Sequence, residues 1–504
     1  MRENLRRDVV RAIGATTVGN GLAKIISLSA TLILARLLTP DDFGLMAMAS
    51  TVTGFIGFFN EIGIGAAIVQ RREVHKNEID GCFGIALLAS ALLSLLVIAI
   101  SWPAAYFFDM PALQRLLSVM GFGFLFGALN TVPVALLRKE MRFQAVLWLG
   151  IASTVAQSLV TIPLAALGFG YWSIVGGFFV GQIVATVWYW RISTWRPNWP
   201  LRLREGRALL SYGVDITFTR VLWHAYMNAD KLIVGKLLGE HAVGVYDVSR
   251  SLASLPTSQI SGLVSSIASP VFSNLQENLP KLRAAQLRLS SGVAYITFPL
   301  LAGIAVLAVE LVQVLLGGKW SEAVFPLQAL CISEAVATVT NLQAQLLIST
   351  GRAKKLVRFN VICAIVMPVS LSMGGWLSGL PGVALAWATV FPLLSIWLWR
   401  EALQASGLRA TEFWHAVRPP MLGSAAMVLA VLAARSLLQP LQAPPVVMLL
   451  SCVTVGIVFY AGYVIALDRE GLNEIRQVLA DFGVPDRMLS RWPFNRGPAP
   501  EVKS

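Results

Sequence analysis

Apolar runs of about twenty residues or more follow one another along nearly the whole chain, each closed by a short polar break. A helix of that length crosses ~30 Å of hydrocarbon with its backbone hydrogen bonds satisfied internally, which is the condition a bilayer imposes. Reading the runs between breaks gives about fourteen spans: 12–38, 44–69, 79–107, 112–137, 143–168, 170–190, 208–236, 243–271, 290–316, 322–349, 356–378, 381–400, 416–438 and 445–467. With 56% hydrophobic residues, 13% charged residues and a mean hydropathy of +0.68, a soluble globule of 504 residues is excluded. The expected fold is an all-α integral membrane protein.

The net charge of +13 invites a nucleic-acid reading, but its distribution argues against one. If the N-terminus lies inside, most of the 40 lysines and arginines fall in inner breaks, among them Arg71, Arg72 and Lys76, Arg138, Lys139 and Arg142, and Arg352, Lys354, Lys355 and Arg358. Such an asymmetry predicts an even number of crossings, both termini cytoplasmic, and basic loops against anionic head groups. No small-residue cleavage site follows the basic N-terminus, so a removable signal peptide is not expected. The four cysteines are scattered without metal or redox spacing and read as buried thiols.

An internal repeat organises the spans. At an offset of 200 residues, Ile33, Arg36, Leu37, Leu38, Gly44 and Leu45 match Ile233, Lys236, Leu237, Leu238, Gly244 and Val245. A second echo spells K-x-x-R-F twice, at Lys139, Arg142 and Phe143 and at Lys355, Arg358 and Phe359. Both pairs lie six spans apart, which predicts two pseudo-symmetric six-helix lobes of like orientation around a central cavity, with two extra C-terminal helices. The expected divisions are an N-lobe over 1–190, a cytoplasmic linker over 191–207, a C-lobe over 208–405, the last two spans within 406–468 and a cytoplasmic tail over 469–504. In the linker, Trp195 and Trp199 among arginines read as interfacial anchors. Within the tail, Gly471–Phe482 could form an amphipathic surface helix.

The seventh span departs from plain hydrophobicity, because it carries Asp215, Arg220, His224, Asp230 and Lys231. At 100° per residue Gly213, Thr217, Arg220, His224, Asn228 and Lys231 share one face. In the first span Thr17, Asn20, Lys24, Ser27 and Thr31 form a comparable stripe, and the repeat lays Lys24 on His224 and Thr31 on Lys231. An ionisable group at the bilayer centre costs roughly 2.5–3.5 kcal/mol on insertion scales, so paired polar stripes predict a wet path between helices. The eighth span adds Asp247 and Arg250, whose spacing of three allows a surface ion pair. Glu61 and Glu334 sit near mid-span and, with Asp230 and Asp247, are candidates for ion coupling; Glu310 reads as nearer the outer surface.

Catalysis finds no support. There is no P-loop motif, the outer breaks are short, and the four histidines are too dispersed to hold a metal. Asp41 and Asp42 open the second helix, where carboxylates suit the N-terminal dipole, so they read as capping groups. No catalytic residue, metal or cofactor is expected.

The segments ARLLTPDDFG at Ala35–Gly44 and NEIGIGAAIVQR at Asn60–Arg71, with the fourteen-span pattern, resemble Wzx-type flippases of bacterial polysaccharide export. These belong to the multidrug/oligosaccharidyl-lipid/polysaccharide exporter superfamily. The resemblance implies alternating-access translocation of an undecaprenyl-diphosphate-linked oligosaccharide to the outer leaflet of the inner membrane, in concert with polymerase and export machinery. It implies further that Lys24, Arg220, Lys231 and Arg250 meet the diphosphate, with Asn20, Thr31, His224 and Asn228 as polar lining. The alternative is a multidrug or small-cation antiporter of the same superfamily, which a cationic lining disfavours.

Overall fold

The computed structural model describes residues 19, 21, 23–60, 65, 68–69, 71, 74–198, 214–441 and 444–467. Asn20, Glu61, Trp199 and the tail after 467 lie outside the described residues, and for Arg220 and His224 only the helical backbone is described. Among the described residues the elements are helical throughout. Among the described residues nine helical segments, one of them running through both helices of Pro111–Lys139, are long and apolar enough to cross a membrane. In chain order the helices are α1 (23–37), α2 (Pro40–Asn60), α3 (Lys76–Phe108), α4 (Pro111–Met120), α5 (Gly123–Lys139), α6 (Phe143–Ala166) and α7 (Tyr171–Ile192). They continue as α8 (Val214–Leu275), α9 (Leu279–Val306), α10 (Val324–Ser349), α11 (Ala353–Ser406), α12 (Ala410–Leu438) and α13 (Pro445–Leu467).

Two of these helices are pairs of expected spans run together. α8 turns at Gly239 (φ 84°, ψ −179°) and α11 at Gly379 (φ 64°, ψ −144°). Only a residue without Cβ takes such angles at no cost, so each long apolar stretch folds back at a glycine.

The chain forms two compact units. The first holds Met1–Val248 with Leu315–Glu322 and Gly375–Val383; the second holds Ser249–Val314, Ala323–Gly374 and Ala384–Ser504. In the first unit α6 and α7 form a close hairpin, and α3 packs on α4 and α5. A core of Ile79, Cys82, Phe83, Ala86, Ala128 and Val132 fills the α3–α5 side. In the second unit α9 packs on α10 and α12, and α12 on α13, so the C-terminal pair is part of the core. Met427, Val431, Leu449 and Cys452 are buried there, and the Tyr460 hydroxyl donates to the Tyr295 carbonyl at 3.0 Å.

The repeat is visible in local geometry. Gly44 and Gly244 meet so closely that a Cβ on Gly44 would lie 1.8 Å from the Glu240 carbonyl oxygen, and one on Gly244 1.8 Å from that of Pro40. Asp41 and His241, again 200 apart, touch at 3.2 Å. Arg36 Nε donates to the Leu315 carbonyl at 3.3 Å, as its counterpart Lys236 does to the Phe107 carbonyl at 2.5 Å. The α6–α7 turn and the α11 kink also match, since Gly170 (φ 54°, ψ −139°) repeats the angles of Gly379.

The second echo aligns differently from the sequence reading. Arg142 N–H returns to the Leu137 carbonyl (2.9 Å) past Met141 at φ 58°, while Arg352 N–H returns to the Leu347 carbonyl (2.8 Å) past Gly351 at φ 74°. The equivalence is therefore 137–142 with 347–352, six residues away from the K-x-x-R-F register. A left-handed helix stop fixes the turn, and basic side chains on its solvated face do not.

Thr39 and Asp42 form a capping box at α2. The Asp42 carboxylate accepts the Thr39 N–H at 3.0 Å, and the Thr39 hydroxyl oxygen accepts the Asp42 N–H at 3.3 Å, with Pro40 at the first helical position. Asp42 also accepts the Tyr171 N–H at 2.8 Å, tying α2 to the start of α7. Trp195 is not a head-group anchor: it is 8% exposed, and its indole N–H donates to Asp80 at 2.9 Å. Asp80, itself 4% exposed, also accepts the Asn198 N–H at 3.3 Å. A carboxylate buried on α3 needs donors, and the linker supplies two.

Candidate functional site

The charged residues of the seventh and eighth spans are placed by the Gly239 turn. Folding α8 back there sets residues about equally far from the turn against each other: 230 faces 246, and 231 faces 247. Lys231 Nζ lies 2.5 Å from Asp247 Oδ1, with the two side chains 20% and 24% exposed. The Tyr246 hydroxyl donates to Asp230 Oδ2 at 2.6 Å, and both residues are buried, Asp230 at 1% exposure. Asp230 Oδ1 in addition accepts the Lys231 N–H at 2.8 Å. Asp230, Lys231 and Asp247 thus each have a complementary neighbour, as membrane depth requires. The carboxylate of Asp247 occupies a donor of the Lys231 ammonium.

The spacing of three between Asp247 and Arg250 pointed to a pair on one helix; the structure instead gives Asp247 a partner across the turn. Periodicity within one helix carries no information about a hairpin partner. Reflection about the Gly239 turn does carry it, since 230 with 246 and 231 with 247 both centre on 238–239, and it also singles out Tyr246, which the stripe left out.

In the second unit, the Arg250 guanidinium lies 5.2 Å over the Trp387 ring, where the aromatic face stabilises the cation. Glu334, half-buried on α10, accepts a 2.6 Å hydrogen bond from the Thr257 hydroxyl. Glu310 is 4% exposed and paired with Arg435 at 2.8 Å, which makes it a buried partner of α12. On α1, Lys24, Ser27 and Thr31 are exposed and share one helical face; the Thr31 hydroxyl donates to the Ser27 carbonyl at 2.9 Å. Asn228 is half-buried on α8.

Comparison with known proteins was made against this geometry. Residues 33–325 match a family model described as "Polysaccharide biosynthesis protein". The lipopolysaccharide biosynthesis protein WzxC of Escherichia coli (strain K12) is 23% identical over 71% of this chain and 73% of its own length. An uncharacterized membrane protein in the cps region of Klebsiella pneumoniae is 26% identical over 70% and 73%. The succinoglycan biosynthesis transport protein ExoT of Rhizobium meliloti (strain 1021) is 24% identical over 68% and 69%. Among solved structures, the lipid II flippase MurJ in an inward closed conformation superposes with a TM-score of 0.69 at 13% identity, covering 90% of this chain and 99% of that one. An inward-facing multidrug resistance MATE transporter of the MOP superfamily gives 0.61 at 16% identity, over 79% and 100%. Both structural likenesses are likenesses of fold.

Proposed function

The chain belongs to the polysaccharide biosynthesis protein family, and from that premise we propose that it is a flippase for lipid-linked oligosaccharide. Its cargo is an undecaprenyl-diphosphate-linked repeat unit, carried from the cytoplasmic to the outer leaflet of the inner membrane for exopolysaccharide or lipopolysaccharide assembly. Fourteen crossings with both termini cytoplasmic, an N-lobe over 1–190 and a C-lobe over 208–405 provide two halves that rock about a central cavity. The product is handed to polymerase and export machinery on the far side.

The observation that carries this reading is the match to the polysaccharide family by a chain that places a lysine–carboxylate pair, Lys231 with Asp247, inside its apolar spans. A diphosphate needs charge-assisted donors, bidentate from arginine and point-like from lysine. Lys24, Arg220, Lys231 and Arg250 fill that role. Asp247 holds the Lys231 ammonium while the site is empty, and cargo exchanges for it. Asp230, Asp247, Glu334 and Glu61 are the carboxylates through which an ion gradient is coupled. The antiporter alternative yields, because cations facing the cargo repel cationic drugs.

Purified protein in liposomes, supplied with a fluorescent undecaprenyl-diphosphate oligosaccharide, tests the proposal by loss of leaflet protection against a membrane-impermeant quencher. Protein-dependent exchange of the diphosphate lipid is expected. Exchange no faster than in protein-free vesicles, or equal transport of a cationic dye, contradicts it.

A further inference from the structure

The turns around Gly44 and Gly244 carry more titratable chemistry than a close glycine contact requires. His241 presents Nδ1 to Asp41 Oδ1 at 3.2 Å and Nε2 to Glu322 Oε2 at 3.6 Å. A neutral imidazole has one donor nitrogen and one acceptor, so it leaves one of these carboxylates facing a lone pair; only the imidazolium serves both. Histidine is also the side chain that ordinarily changes charge between about pH 5 and 8. All three side chains are at least 46% exposed, so protons reach them from solvent.

The neighbouring segment Leu315–Glu322 acts as a strap across the end of α1. Lys319 Nζ donates to the Arg36 carbonyl at 2.8 Å and to the Leu38 carbonyl, and the Trp320 indole N–H to the Ala35 carbonyl at 2.8 Å. These satisfy the orphan carbonyls of a helix C-terminus, where a cation is also favoured by the dipole. Trp320 is buried and meets Phe43 of α2 edge to face at 5.3 Å. The strap thus joins α1 and α2 to the carboxylate of Glu322 that His241 reaches.

We propose that the Gly44–Gly244 contact is a lock between the paired halves of the repeat, closed by protons from the outer side of the membrane, with His241 as its switch. The transport reading gains a regulation: an acidic exterior holds the outer end shut, and a less acidic one releases it. The inference rests on that reading for its sidedness, while its test needs no cargo.

Every charged neighbour bears on the sign. The imidazolium, which can donate to both Asp41 and Glu322, bridges the contact and so favours the lock at lower pH. Glu240, one residue away, has its carboxyl pushed up by burial first and then by Asp41 and Asp42. The locked state therefore binds that proton more readily than an open one, and locking weakens as pH rises through the Glu240 titration. Burial lowers Lys319, against the opposing influence of Asp42. Asp42 is already engaged by Thr39 and the Tyr171 N–H. Exposed pairs are individually weak, so the expected response is several-fold and not hundreds-fold.

The test is a distance measurement on the full-length protein in lipid nanodiscs. Spin labels at Leu167→Cys and Leu377→Cys report on the outer turns of the two halves; both positions are exposed, and the four native cysteines are buried. The locked-to-unlocked ratio is expected to rise about three- to tenfold from pH 8 to pH 6 in wild type. H241Q should lose most of the rise at pH 6, and E240Q should raise the ratio at pH 8. A wild-type distribution that ignores pH, or an H241Q/E240Q double variant with the full wild-type response, overturns the proposal. Because no cargo is present, a protein that responds to pH yet moves no lipid would sink the transport reading and leave the lock standing.

Discussion

Gly44 and Gly244 are each other's counterparts in the repeat and each other's contact, with either Cβ falling 1.8 Å from a carbonyl oxygen of the opposite turn. An alanine in an ordinary helix gains about 0.5–1 kcal/mol over glycine. Here the sign should reverse: Gly44→Ala or Gly244→Ala destabilises the contact by about 1–3 kcal/mol, as overpacking does. Since both disrupt one contact, the double variant should cost clearly less than the sum. Denaturant unfolding in detergent checks this, and additive or stabilising alanines contradict it.

The Lys231–Asp247 pair predicts coupled energetics. Removing either partner leaves a charge inside an apolar span, whereas removing both leaves none. A double-mutant cycle with Lys231→Met and Asp247→Leu should return a coupling of about 1–3 kcal/mol in stability. In exchange without an ion gradient the two part ways, since Lys231→Met loses a donor for the cargo, whereas Asp247→Asn frees one and its coupling role is not called on. Equal transport defects would argue that the pair is purely structural.

Glu310 and Arg435 offer a harsher test, because Glu310 is almost wholly buried and its Oε2 has no hydrogen-bond partner among the described residues. Arg435→Met should destabilise by about 3–5 kcal/mol, by stranding the carboxylate. Glu310→Leu in the same chain should recover most of that loss. The readout is the unfolding midpoint, and a harmless single variant contradicts the buried pair.

Trp195→Phe keeps the aromatic bulk against Phe83 and Trp190 but removes the donor to Asp80. The cost should be about 1–3 kcal/mol, the penalty for a buried acceptor left short. Protease susceptibility of the following linker should rise with it. Unchanged stability and cleavage would place Trp195 outside the docking of the linker.

What the sequence discloses, and what it hides, follows from how local each feature is. The repeat was readable at Arg36–Gly44 and Lys236–Gly244 because one tight contact demands glycine at both places and spaces the cations around it. The Asp41–Asp42 doublet gave its cap for the same reason, although Asp41 turned out to face His241 as well. K-x-x-R-F misled because loop cations are set by topology, while the turn is set by a left-handed residue after a Leu-Leu pair. Trp195 reads as interfacial by composition, yet its partner Asp80 stands 115 residues away. Lys231 and Asp247 were each visible as misplaced charges, and only the fold at Gly239 shows that they answer one another.

The measurement closest to the central claim is analysis of lipid-linked intermediates in a strain lacking this protein, complemented with wild type, Lys24→Ala, Arg220→Ala or Lys231→Ala. The account predicts that undecaprenyl-diphosphate oligosaccharide accumulates in the inner leaflet on deletion. Wild type should release it, and the alanine variants should fail to do so at normal membrane levels. Surface glycan that appears normally without this protein, with no second flippase in the strain, contradicts the account.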